Sequence, residues 1–75
     1  MSEGKYTLED LYSVKESIDR NFENKVGVIK SSAETLSASE YIILQKELRS
    51  LNEEEMELFR KFVKVENSIL DQKLV

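Results

Sequence analysis

Apolar residues in the second half of the chain recur in two interleaved rows. Tyr41, Leu48, Phe62 and Ile69 fall at heptad intervals, with Glu55 the one charged member of the series. Leu44, Leu51, Leu58 and Val65 form a second series three residues further on. Rows offset by three and then four residues lie along one side of a helix and form the seam by which it packs on another helix. The first half carries a weaker version. Leu8, Phe22, Ile29 and Leu36 make one row, interrupted by Lys15, and Leu11 and Ile18 make another, interrupted by Lys25.

Local signals divide the pattern into two helices. Thr7 reads as an N-cap, with Asp10 in the capping-box position and Tyr6 and Leu11 placed as a hydrophobic staple. Ser37, followed three residues later by Glu40 and flanked by Leu36 and Tyr41, is the sharpest later start. The Ser- and Thr-rich stretch 31–39 suits a turn, because short hydroxyl side chains compete for backbone hydrogen bonds. Residues 1–6 read as a disordered tail, and 1–75 as a single helical domain. The expected fold is all-α: an antiparallel hairpin of helices at about 8–36 and 40–73, with the turn at 37–40. A third start signal, Asn52 with Glu55, supports an alternative three-helix bundle broken near Asn52. The heptad crosses Asn52 without a change of phase, which favours one continuous second helix.

Register follows from the turn. With the turn at 37–40, Leu36 is expected opposite Leu44, Ile29 opposite Leu51 and Phe22 opposite Leu58. On the other row Ile18 meets Phe62 and Leu11 meets Ile69. The same alignment sets Lys25 against Glu55, so that the charges interrupting the two seams form a register pair. Outside the seam, Ile42, Met56, Val63 and Leu70 widen the apolar face of the second helix, as does Phe59. A hairpin cannot cover so wide a face from one side, so a further helix is required. A homodimeric four-helix bundle is the expected answer, and a different protein docked on the apolar face of the second helix is the other.

Composition narrows the chemistry. The 75 residues include no Pro, which agrees with long helices. Chains this short bury little core alone and commonly rely on disulfides, a metal or a partner. With no Cys and no His, disulfides are excluded, and the usual zinc ligands and the common nucleophile–imidazole pairings are missing. No catalytic, cofactor or metal site and no small-molecule substrate is expected. The net charge of −4, with Lys and Arg scattered among carboxylates, argues against nucleic-acid binding, which wants a basic stripe. The acidic run Glu53-Glu54-Glu55 reads as solvated helix surface, since successive helical residues point about 100° apart. No apolar stretch reaches the roughly 18 residues of a membrane span, and the first residues lack a signal-peptide pattern, so a cytoplasmic location is expected.

The order long helix, short turn, long helix resembles the type III secretion needle subunits and the small helical-hairpin co-chaperones of those systems. The likeness covers 38–70, through Leu44-Gln45-Lys46-Glu47-Leu48 and Phe62-Val63-Lys64-Val65-Glu66; the turn lacks the proline usual before the needle's second helix. The resemblance implies a structural assembly subunit or co-chaperone. The residues themselves point to a non-catalytic protein–protein interaction module, a small adaptor, inhibitor or regulatory subunit. An oligonucleotide-binding bundle is a third reading, which the charge opposes.

Overall fold

The computed structural model describes residues 5–73, which form two α-helices, α1 (Leu8–Glu34) and α2 (Ala38–Lys73). They pack against each other as an antiparallel hairpin of 57 × 17 × 14 Å. The long dimension is that of α2 alone, since 36 residues at a rise of about 1.5 Å each make a rod of that length.

The start of α1 is a complete capping box. Thr7 is extended, its backbone N–H donates to Asp10 Oδ2 at 2.8 Å, and Asp10 N–H donates to Thr7 Oγ1 at 3.3 Å. Two otherwise orphaned donors of the first turn are thereby satisfied. The turn is tighter and earlier than the Ser-rich composition suggested: α1 stops at Glu34 and α2 starts at Ala38. Ser37 caps α2 by accepting from Glu40 N–H at 3.2 Å. Glu40 does not return the bond to Ser37. Its carboxylate accepts from the Thr35 hydroxyl, while Ser37 N–H donates to that same hydroxyl at 3.2 Å. Thr35 thus closes the turn that Ser37 and Glu40 were expected to close alone. It also leaves Leu36 at the tip, fully exposed instead of opposite Leu44.

Helix α2 runs unbroken through Asn52, so the three-helix alternative does not form. A strong cap signal lost to the uninterrupted packing stripe on either side of it. The expected tail divides in two. Residues 1–4 lie outside the described residues. Tyr6 is held against the far end of α2: its N–H donates to Ser68 Oγ at 3.0 Å, and its carbonyl accepts from Gln72 Nε2 at 3.0 Å.

The seam uses the expected rows of α2 except at their start, where Tyr41 is 48% exposed. Leu44, Leu48, Leu51, Glu55, Leu58, Phe62 and Ile69 are partly buried, and Val65 is completely so. On α1, Leu11, Ile18 and Lys25 face α2 as expected. Their companion row is a different one. Val14, Asn21 and Val28 turn inward, with Val14 4% and Asn21 2% exposed, whereas Leu8, Phe22 and Ile29 are about half exposed. Lys25 meets Glu55 as expected, but α1 is rotated about its axis, so that Val14, Asn21 and Val28 lie inward in place of Leu8, Phe22 and Ile29. Asn21 lies against Leu51 and Glu54, and Val28 lines a groove together with Leu44 and Leu51. Both choices of row keep the alternating three-and-four spacing, so periodicity does not separate them.

Candidate interaction face

Two polar contacts sit inside the seam. Lys25 Nζ and Glu55 Oε1 are 3.0 Å apart, with side chains 19% and 31% exposed. The interruptions of the two rows therefore meet each other. One heptad layer away, the buried amide of Asn21 donates to the Leu51 carbonyl at 3.0 Å and to Glu54 Oε1 at 2.8 Å. Burying an amide is costly without such partners. No buried side-chain polar atom among the described residues lacks one. A third bridge, Gln45 Nε2 to Ser32 Oγ at 3.2 Å, ties the helices near the turn.

Heptad letters describe what lies outside the seam. With Leu11 and Leu48 at a, and Val14 and Leu44 at d, the row Leu8, Lys15, Phe22, Ile29 occupies e on α1. Beside it, Tyr12, Asp19, Val26 and Ala33 occupy b. On α2, Ile42, Arg49, Met56, Val63 and Leu70 occupy b, and Gln45, Asn52, Phe59, Glu66 and Lys73 occupy e. In an antiparallel pair, like-lettered flanking positions share a side, because reversing one helix mirrors its wheel. The e and b rows of α1 and α2 therefore form one flank. The opposite side gives the matching observation. Asn24 and Ser31 at g of α1 line a shallow groove with Glu47 at g of α2, together with Gly27 and Ser50 at c.

The two flanks differ sharply in chemistry. The c and g positions carry Ser, Asn, Arg, Lys, Asp, Glu and Gly, with Ile43 the one apolar exception within the helices. The e and b flank carries Leu8, Tyr12, Phe22, Val26, Ile29, Ile42, Met56, Phe59, Val63 and Leu70, each roughly half exposed. Phe22 is 62% exposed and Phe59 is 48% exposed. One of these two aromatics stands on each helix. A contiguous apolar surface of this kind, bordered by charge, is what folded chains use to meet a partner.

The expected outer residues Ile42, Met56, Val63 and Leu70 all lie on this flank, and Phe22 and Ile29 join them there instead of in the seam. Leu8, Tyr12 and Val26 complete it. Their signal was present in the sequence as the contrast between a polar c/g side and an apolar e/b side, which becomes readable only once the a and d rows are assigned. The flank's polar members are also placed. Lys15 Nζ lies 2.8 Å from Asp19 Oδ2 in an exposed ion pair one turn apart, and that hydrogen bond and charge raise the Lys15 ammonium above its ordinary pKa.

Among the described residues no group of His, Cys, Asp and Glu could hold a metal ion, and no helix is long and apolar enough to cross a membrane. Comparison with protein-family models, with curated proteins and with solved structures finds no match for this chain.

Proposed function

We propose that this chain is a non-catalytic protein–protein interaction module, a small adaptor, inhibitor or regulatory subunit, whose working surface is the e/b flank of the hairpin. One observation carries the reading: the apolar rows of both helices emerge on the same side, while the opposite flank is polar apart from Ile43. The hairpin's own seam fully buries only Val14, Asn21 and Val65 among the described residues, so its core is thin for a chain of this size. Covering the flank with further helices supplies the missing core. Each large apolar side chain covered contributes about 1.5–3 kcal/mol if buried in full. A second copy of the hairpin is the simplest cover, and it makes a homodimeric four-helix bundle.

Sedimentation equilibrium across the micromolar range tests the reading. The mass of two chains is expected, and Phe22→Glu or Phe59→Glu is expected to return the mass of one chain with helix content retained, because both residues are exposed in the single hairpin. A wild-type chain that stays single, and that is equally soluble and helical with either variant, would refute a self-associating flank. Concentration-dependent filaments would transfer the flank to a structural assembly subunit of the kind the secretion-needle likeness implies.

A further inference from the structure

The e/b flank does not account for every exposed apolar group. Ile43 is 63% exposed at c of α2, on the opposite side, and directly precedes Leu44. Leu44, Leu51 and Val28 are seam residues, yet all three are only partly buried and line the shallow groove between the helices. Its floor is therefore apolar. That floor is reachable because α1 offers no large side chain above it. Asn24, Gly27 and Ser31 line the α1 side, and a Cβ at Gly27 would meet nothing within 4 Å. Glu47 and Ser50 line the α2 side. The hairpin thus leaves part of its own seam open to side chains from outside.

The charge around this groove has one sign. Between Asn21 and Glu57 the c and g positions of the two helices hold Glu34, Glu40, Glu47, Glu54 and Glu57, and no Lys or Arg. Glu57 is neutralised by Arg60 at 2.7 Å. The other four are exposed, and none is in an ion pair among the described residues. Glu23 adds a further carboxylate to the lining. The cations of the same stretch lie elsewhere. Lys25 is paired with Glu55 in the seam, Arg49 is at b on the other flank, and Lys30 and Lys46 are at f on the backs of the helices. Toward the chain termini the c and g positions are mixed, with Arg20, Lys61 and Lys64 among Asp10 and Asp71. Two copies of the hairpin cannot cover each other's grooves symmetrically, because that would press these carboxylates together.

We propose that this groove is a second docking site, for a basic amphipathic helix of a different protein. The apolar face of that helix lies on Val28, Leu44, Leu51 and Ile43, and its Lys or Arg side chains reach Glu34, Glu40, Glu47 and Glu54. From Glu40 to Glu54 is about 21 Å along α2, so the bound helix has about four turns. The apolar floor holds the partner, and the acidic rim selects a basic one and speeds its approach. The site lies on the side of the hairpin away from the e/b flank, so it stands whether or not a second copy covers that flank.

The full chain, isotope-labelled for NMR, is titrated with a synthetic peptide of about 15 residues carrying Leu on one helical face and Lys on the other. Binding is expected to shift the amide resonances of Asn24, Gly27, Ser31, Glu47 and Ser50 and to weaken as salt rises. The counterpart with Glu in place of Lys is expected not to bind. Glu47→Lys, at an exposed position, is expected to weaken binding roughly tenfold. Gly27→Leu, which fills the groove without altering charge, is expected to weaken it at least as much, and both variants are expected to keep their helix content. Phe59→Glu on the other flank is expected to leave the affinity within about twofold, because the sites are separate. Shifts gathered at Phe22, Met56 and Phe59, with binding lost in Phe59→Glu, would overturn the groove and assign the peptide to the e/b flank. Equal binding of the Glu-bearing peptide, full affinity in Glu47→Lys, or no binding by the folded chain would overturn it as well. Sedimentation of the chain without peptide decides the self-association of the flank separately.

Discussion

Neutralising the Lys25–Glu55 pair without changing its shape tests the seam where the structure is most specific. Lys25→Met and Glu55→Gln are near-isosteric replacements. At 3.0 Å and an effective dielectric of about 20, the gross attraction is on the order of 5 kcal/mol. Most of this is offset by desolvation, because both side chains are largely withdrawn from water. A net coupling of about 1–2 kcal/mol remains, above the median of exposed pairs. Each single variant leaves a mostly buried charge facing a neutral group and is expected to cost about 1–2 kcal/mol in urea melts. The double variant is expected to cost less than the sum of the two by the coupling energy. Melts belong at one fixed protein concentration, since association would shift the midpoint by mass action. Coupling within about 0.3 kcal/mol of zero would mean that the two groups do not meet in solution and that the helix alignment is wrong.

Other outcomes follow from single positions. Asn21→Leu is expected to stabilise the hairpin by about 1 kcal/mol, because apolar burial in the seam outweighs two hydrogen bonds whose other partners, a helical carbonyl and an exposed carboxylate, keep alternatives; a loss in denaturant melts would show the amide to be essential to the packing. Gly27→Ala places its methyl group in open space within α1 and is expected to add about 0.5–1 kcal/mol, read as a higher urea midpoint with unchanged slope. Asn52→Ala is expected to be neutral or stabilising by a few tenths of a kcal/mol, since Asn52 is a mid-helix residue and not a cap; a loss of about 1 kcal/mol would restore the three-helix alternative. Ser68→Ala removes the acceptor for Tyr6 N–H and is expected to speed amide exchange at Tyr6 while leaving exchange at the centre of α1 unchanged.

Helix content, the start of α1 at Thr7, the continuity of α2 and the seam of α2 were legible in the residues alone. Each depends on neighbours a few positions apart: caps act within one turn, and a heptad row is a property of one strand of sequence. That Lys25 meets Glu55 was legible as well, because they are opposite charges interrupting otherwise apolar rows. The rotation of α1 was not. Leu11 and Ile18 make an equally regular seam with Phe22 and Ile29 on one side or with Val14 and Val28 on the other. Only the folded pair shows that Asn21 finds Leu51 and Glu54 waiting for its amide. Which two of three rows a helix buries depends on what stands opposite each row, and that is not written in the helix itself. The same rotation gathers Phe22 and Ile29 onto the side where α2 already displays Met56 and Phe59, and so creates a single apolar flank from two stripes that lie far apart in the sequence.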